Sequence, residues 1–433
     1  MKLFGTMEAK ENELYIGGIS TTNLCKEFGT PLYVIDEELV RKNCRDYCEN
    51  FNVKEGKNKV AYAGKAFLPT AMCQIIDEEG LNLDVVSGGE LYTAHKAGFP
   101  MERVLFHGNN KTIDEIKMGI NFNVGRFVVD NFYELEKINE IAKEDDKIQK
   151  ILLRITPGIE AHTHDYIKTG QVDSKFGFTL LNSETINAVK KAISLPNIKL
   201  MGLHCHIGSQ IFEIKPYEEE VDIMLDIIKT IKDELNYEIE ELDLGGGFGI
   251  YYTEADKPRE AEEFCSAILK RAESKAKEID ITLPTLIIEP GRSIIGNAGT
   301  TLYTVGSIKD IPEIRKYISV DGGMTDNIRP SLYQAEYECA IANKLNNGTN
   351  EKVTVAGKCC ESGDILLTDV DIAKVESGDI LIVTNTGAYG YSMANNYNKI
   401  PKAAVVLVKD GHARLICRRE SYEDVLRNEL LLL

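Results

Sequence analysis

Lys59-Val60-Ala61-Tyr62-Ala63-Gly64-Lys65-Ala66-Phe67 reads as a short buried strand that stops at a glycine and delivers a lysine. Val60 to Ala63 carry no charge, as expected of a strand covered on both faces. Gly64 turns the chain, and apolar Ala66 and Phe67 stand behind Lys65. Lysines usually lie on solvated helix faces. One held at the mouth of a buried strand is expected to lose solvation, and its amine becomes a usable nucleophile. A carbonyl cofactor, captured as a Schiff base, is the natural partner. A lysine that only snorkels from a strand end is the plainer alternative, and this stretch alone favours it.

Outward from that stretch, apolar runs recur with a βα rhythm. Strands are predicted at 59–63, 82–86, 103–107, 126–130, 150–155, 199–206, 240–244 and 285–289. Amphipathic helical stretches lie among them, such as 131–144, 183–194, 216–235 and 259–279. Apolar strands alternating with helices argue for a parallel sheet. Eight of them close naturally into a (β/α)8 barrel of the TIM type, with an open doubly wound sheet as the competing arrangement. After Glu289 the rhythm changes. Segments 300–309, 316–320, 352–356, 379–384 and 403–409 look like strands punctuated by Asp-Gly, Asn-Gly and Ser-Gly turns. Helical periodicity returns only at 420–432. The expected organisation is an N-terminal segment, 1–35, pairing with the β domain, a barrel over 36–290, and a second, mostly antiparallel β domain over 291–433.

Composition narrows the function classes. The 433 residues suggest two or three domains, and 43% are hydrophobic, ordinary for a chain with a sizeable core. A net charge of −18 disfavours nucleic acid or an anionic membrane as partner and leaves a small polar metabolite open. Ten cysteines show no C-x-x-C pair and no zinc-like spacing, which fits a reducing cytoplasm. Residues 1–10 lack the apolar stretch of a signal peptide. No apolar run is long enough to span a membrane, and Leu430 to Leu433 reads as a docked or frayed end.

Barrel enzymes place their chemistry in the loops that follow the strands. Lys65 follows the first strand here, and Asp84 sits on the second, before Ser87-Gly88-Gly89-Glu90. His107-Gly108-Asn109-Asn110 follows the third, and Arg154 lies on the fifth. The sixth ends in His204-Cys205-His206-Ile207-Gly208-Ser209-Gln210, the seventh in Gly245-Gly246-Gly247-Phe248-Gly249, the eighth in Glu289-Pro290-Gly291-Arg292. Polar and glycine-rich groups thus collect at one end of the elements. The glycine triplet is either a tight turn or a nest of N–H groups open to a phosphate, with Ser209 and the amides of Gly291 and Arg292 as further donors. His206 alone reads as a satisfied core histidine; beside a flat cofactor its ring can stack. His204 and His206 share a strand face, which permits a metal pair, but no third and fourth ligand is evident and no metal is expected. The His162-Thr163-His164-Asp165 stretch reads as a gating or packing loop. Glu289 is suited to keep a pyridine nitrogen protonated, which favours decarboxylation over racemisation. Lys111 and Lys175 compete with Lys65, but both fall in loops and are expected to be more solvated.

Taken in order, Tyr62–Ala66, His107–Lys111, His162–Gly177, His206–Gln210, Gly245–Gly249, Glu289–Arg292, Cys360-Glu361-Ser362-Gly363-Asp364 and Gly387-Ala388-Tyr389 resemble the fold-type III pyridoxal-phosphate decarboxylases, and among them the diaminopimelate decarboxylases. The resemblance spans about residues 15–430. It implies an alanine-racemase-like barrel with pyridoxal 5'-phosphate as cofactor, and conversion of meso-2,6-diaminopimelate to L-lysine and carbon dioxide in lysine biosynthesis. By the same resemblance Lys65 carries the cofactor as a Schiff base, His206 stacks on its ring and Glu289 meets its nitrogen. Asp84, Arg154, Ser209, Gly246, Gly247, Gly291, Arg292 and Tyr389 complete the cofactor site. Arg292, Arg329, Tyr333 and Tyr389 hold the substrate, Glu361 binds its distal ammonium, and Cys360 returns a proton to the α-carbon. The Cys360-Glu361 loop is implied to enter from a partner subunit, giving a homodimer with shared sites. A decarboxylase of ornithine, lysine or arginine, a racemase, and a cofactor carrier without turnover are the alternatives. All three share the cofactor; Arg329 and Tyr333 together with Glu361 speak for a distal end that bears both a carboxylate and an ammonium.

Overall fold

The computed structural model describes residues 1–159, 174–348 and 351–432. His162 to Asp165, read above as a gating or packing loop, lie outside the described residues. The chain divides into two units. One comprises Asn43–Ile250 and Pro258–Ser293, the other Met1–Lys42, Tyr251–Lys257 and Ile294–Leu433.

The first unit is the barrel. Its strands are Lys59–Ala63, Asn82–Val85, Val104–Phe106, Arg126–Val129, Gln149–Thr156, Ile198–His204, Glu241–Asp243 and Thr285–Ile288. Each pairs in parallel with its sequence neighbour, and the eighth returns to the first through Ile287–Lys59 and Ile288–Val60. That closure rules out the open sheet. A two-residue strand, Phe178–Thr179, adds to the fifth. Closure leaves Ala61, Leu105, Val128, Leu152, Met201 and Ile287 packed together as one buried cluster. Burying each of the larger side chains contributes roughly 1.5–3 kcal/mol. An ionic cluster lies two residues back along the strands. Glu241 meets Lys59 Nζ at 2.6 Å and Arg126 Nε at 2.8 Å. Two residues forward lie the polar groups described below.

The second unit is built on a mixed, mostly antiparallel sheet. Its longest strand, Gly299–Ile311, pairs antiparallel with Arg315–Val320, Ile380–Val383 and Leu32–Asp36. Leu32–Asp36 also runs parallel to Ala404–Lys409. The N-terminal segment therefore supplies an internal strand to a sheet formed largely by residues after 298. Leu14, Leu32, Val34, Leu302, Ile382 and Val406 belong to the core of this unit.

Several elements differ from the sequence reading. The helix expected over 420–432 is only Tyr422–Leu426, capped by Ser421, and Leu430, Leu431 and Leu432 are exposed. Leucine periodicity alone does not hold a helix without a surface to bury it. Strands Cys339–Ile341, Ile365–Ile372 and His412–Cys417 and the helix Thr21–Phe28 were not anticipated. Ile365–Ile372 and His412–Cys417 carry mixed, half-exposed side chains that blur the alternation. Among the described residues no helix is long and apolar enough to cross a membrane.

Candidate active site

Side chains on a strand alternate between faces, so the residue two places beyond an inward apolar one also points inward. In the barrel this step carries Leu105 to His107, Val128 to Asp130, Leu152 to Arg154 and Ile287 to Glu289, and Asp84 lies at the same end of the second strand. The apolar floor is therefore followed, at the C-terminal end of the strands, by a layer of ionisable groups.

Glu289 is the centre of that layer. His204 Nε2 lies 3.3 Å from Oε2, within hydrogen-bond distance. His107 Nε2 approaches Oε1 at 2.8 Å but off the line of a hydrogen bond, so that Oε1 has no hydrogen-bond partner among the described residues. Burial alone would raise the Glu289 pKa, but the two imidazoles outweigh it and hold the carboxyl well below the usual range. Asp243 behaves oppositely. Burial, followed by the charge of Glu289, pushes it well above the carboxylate range. Asp84 is pushed up to about 6, chiefly by burial. Burial lowers His204 to about 4, so this imidazole is neutral at pH 7. Arg154 lies 4.0 Å from Asp130, and its guanidinium carbon lies 4.3 Å from the ring centroid of Phe176.

The glycine loop after the seventh strand is shaped by close contact. A Cβ on Gly246 would lie 2.1 Å from Glu289 O, and one on Gly247 (φ 102°) would lie 2.3 Å from Gly208 O. Only glycine lets this loop pass between the sixth and eighth strand ends. Gly246 N–H donates to His206 Nδ1 at 3.3 Å, which holds the partly buried imidazole in place. Burial, with the nearby Lys65 charge, lowers the His206 pKa well below its ordinary value. Arg292 Nη2 donates to Ser209 Oγ at 2.8 Å, tying the loop after the sixth strand to that after the eighth. The N–H groups of Gly247, Ser209 and Gly291 have no hydrogen-bond partner among the described residues.

The lysines contradict the solvation argument. Lys65, on the turn Gly64–Ala66, is exposed. Lys111 is buried. Its Nζ meets Glu134 Oε1 at 2.6 Å and donates to Gly108 O and Val128 O, each at 2.9 Å. A loop lysine with an acid beneath it folds inward, so loop position was a poor guide to exposure. What distinguishes Lys65 is the reverse of desolvation: among the described residues its amine makes no hydrogen bond or ion pair, whereas that of Lys111 is fully engaged.

Two other loop pieces also settle. Ser87 caps the helix Gly88–Lys96 by accepting from Glu90 N–H, and Glu90 reaches back to Val86 N–H at 2.7 Å, so this segment is a helix cap. The metal question shifts residues. Among the described residues, His107, His204 and Glu289, rather than a set built on His206, bring ligand-capable atoms within 4.8 Å of one another.

The remaining expected residues lie in the second unit. Arg329 opens the short helix Arg329–Tyr333 and is buried, while Tyr333 is partly exposed. Arg329 Nη1 donates to Tyr337 Oη at 2.6 Å and Tyr252 Oη at 3.1 Å. The guanidinium carbon lies 6.0 Å from the ring centroid of Tyr389, whose backbone holds φ at 60°. Such a conformation is uncommon for a tyrosine and is typical of strain kept at a functional position. Cys360 and Glu361 are exposed, on the turn joining Glu351–Ala356 to Ile365–Ile372. Asp364 anchors that turn from beneath, accepting from Met324 N–H at 2.6 Å and Cys359 N–H at 2.7 Å.

A family model described as "Pyridoxal-dependent decarboxylase, pyridoxal binding domain" matches residues 37–296. The diaminopimelate decarboxylase of Bacillus subtilis (strain 168) is 50% identical over 431 residues, covering 99% of this chain and 98% of its own. That of Halalkalibacterium halodurans is 51% identical over 420 residues, covering 97% and 96%. The crystal structure of diaminopimelate decarboxylase from M. jannaschii in co-complex with L-lysine superposes with a TM-score of 0.93 at 38% identity, covering 99% and 98%. The chain belongs to the diaminopimelate decarboxylase family.

The cofactor of this family is pyridoxal phosphate, and the barrel residues fit it. The ionised Glu289 carboxylate, whose buried Oε1 accepts no hydrogen bond among the described residues, suits a protonated ring nitrogen. Free N–H groups on Gly247, Ser209 and Gly291 suit a phosphate. Of the residues described here, sequence reasoning missed Asp130 and Asp243 in the barrel and Tyr252 and Tyr337 in the second unit, and it named His107 only within a motif. The two-residue step from Val128 would have found Asp130, and the step from Glu241 would have found Asp243. Nothing in the sequence marks Tyr252 or Tyr337 among 19 tyrosines.

Proposed function

We propose that this chain removes one carboxyl group of meso-2,6-diaminopimelate as carbon dioxide and releases L-lysine, through the following residues. Pyridoxal phosphate, when bound, supplies the electron sink for the pair left on the substrate α-carbon. Lys65 presents the free amine that meets the cofactor's carbonyl. Glu289, flanked by His107 and His204, is placed to keep the ring nitrogen protonated, and His206 to lie against the ring face. Gly246, Gly247, Ser209, Gly291 and Arg292 hold the phosphate, and Asp84 and Arg154 complete the polar lining. The observation that carries the substrate reading is Arg329: the residue is 8% exposed and, among the described residues, its guanidinium has no carboxylate within ion-pair distance. A buried cation of this kind calls for an anionic ligand. Arg329 therefore takes the distal carboxylate, with Tyr333, Tyr389 and Arg292 around the substrate and Glu361 on its distal ammonium. Cys360 delivers the proton to the α-carbon.

Cys360 and Glu361 are exposed in the single chain, which supports a homodimer in which they complete the partner's site. Ten free cysteines fit a reducing compartment such as the cytoplasm. The test is carbon dioxide release from meso-diaminopimelate, L-lysine, L-ornithine and L-arginine. Turnover is expected with the first alone. Lys65→Ala is expected to lose the bound-cofactor absorbance and to slow turnover by at least about a thousandfold. Faster turnover of ornithine than of diaminopimelate would overturn the substrate assignment.

A further inference from the structure

We propose that Tyr337 and Tyr252 are positioning residues that fix which edge of Arg329 a substrate carboxylate meets, an inference that rests on the reading of Arg329 as the distal-carboxylate clamp. A guanidinium has five N–H groups in a flat fork. In Arg329 the two on Nη1 are taken by phenol oxygens, Tyr337 at 2.6 Å and Tyr252 at 3.1 Å. Among the described residues Nε and Nη2 make no hydrogen bond. The edge left over is the Nε–Nη2 edge, which donates two parallel hydrogen bonds to a carboxylate.

The same two rings hold the cation in place. The guanidinium carbon lies 5.0 Å from the Tyr252 centroid and 5.7 Å from that of Tyr337. The rings meet edge to face, with centroids 5.4 Å apart and an interplanar angle of 89°. Tyr252 is 7% and Tyr337 6% exposed, so neither swings freely. Local structure brings them there. The helix Arg329–Tyr333 ends at Gln334 in the left-handed region (φ 53°), and the turn sends the chain back so that Tyr337 reaches Arg329. Phenol oxygens accept without neutralising the charge. A carboxylate at the same place would quench the cation, whereas two tyrosines orient it and leave its charge for the ligand.

The roles separate in binding. L-Lysine carries the carboxylate that Arg329 would hold, and cadaverine is the same diamine without it. With the cofactor-loaded enzyme, Tyr337→Phe is expected to weaken L-lysine binding about tenfold, about 1.4 kcal/mol, and to leave cadaverine binding unchanged. The KM for meso-diaminopimelate should rise in parallel while kcat stays within about twofold. Equal losses for lysine and cadaverine, or no loss for either, would overturn the proposal. Should Tyr337→Phe fail to fold, Tyr252→Phe, which removes the longer hydrogen bond, decides by the same comparison. A wild-type enzyme that binds cadaverine as tightly as lysine would instead sink the clamp reading of Arg329, before any variant is made.

Discussion

Glu220 is fully buried, and its only hydrogen bond among the described residues comes from the Cys205 thiol, 3.0 Å from Oε1. Burial pushes its pKa from 4.5 up to about 8, so it is held as the neutral acid at pH 7. The folded protein therefore binds a proton that the unfolded chain releases above about pH 4.5, and stability falls as pH rises through that window to about 8. The slope is about 1.4 kcal/mol per pH unit where both conditions hold. Glu220→Gln removes this dependence. The variant should melt above the wild type at pH 8.5 and close to it at pH 5, by thermal denaturation at both values; a gap that does not change with pH refutes the assignment. The same residue-scale physics explains what the sequence concealed. Lys65 and Lys111 both follow a strand and a glycine, and nothing local says that Glu134, on the next helix but one, will draw Lys111 inward. The partner of a charged side chain is a property of the fold. Tyr337 and Tyr252 were hidden for the same reason, being far apart in sequence and brought together at Arg329 only by the fold.

Elements were legible in proportion to how completely they are buried. The eight barrel strands are apolar runs because both faces are covered, and each lies within a residue or two of where the sequence placed it. Edge and half-exposed strands, such as His412–Cys417, carry no such run. The turn that bears Cys360 and Glu361 was legible as a motif but not as a construction. Asp364 builds it. Its two oxygens accept from Met324 N–H and Cys359 N–H, and its own carbonyl accepts from Gly357 N–H at 2.9 Å. A Cβ on Gly357 would lie 2.2 Å from Asp364 Oδ2, so the carboxylate occupies the space that glycine leaves. In Asp364→Asn one oxygen becomes an NH2 facing an N–H, and a charge-assisted hydrogen bond worth roughly 1.5–3 kcal/mol is lost. The Cys360 turn loosens while the barrel unit, which contains no part of it, keeps its geometry. We expect kcat to fall about tenfold or more with the bound-cofactor absorbance unchanged. An unaltered kcat, or a joint loss of absorbance and kcat, would count against Asp364 as the anchor of the turn.

At the scale of the whole molecule, the expected catalytic residues fall into two sets by unit. Lys65, His206 and Glu289 belong to the barrel, and Cys360, Glu361 and Arg329 belong to the β-rich unit. Residues 360–363 are all exposed. A proton donor left in bulk water has no means of choosing one face of a carbanion, so the role proposed for Cys360 requires that something cover this turn. In the proposed homodimer a second copy of the chain, related by a two-fold axis, covers it reciprocally, each subunit lending its Cys360 to the other's Lys65. Complementation tests this directly. Lys65→Ala and Cys360→Ala chains should each be inactive as pure dimers, because both sites of either dimer lack one group. In a mixed dimer with shared sites, one site receives both changes and the other receives neither. Random reassortment of equal amounts makes about half of the dimers mixed, each with one intact site, and so restores about a quarter of wild-type activity. If instead each site draws Lys65 and Cys360 from the same chain, every site in every dimer carries one defect, and co-expression of the two variants restores nothing. Activity near a quarter from two inactive parents therefore requires the shared arrangement, and its absence in co-purified mixed dimers excludes it.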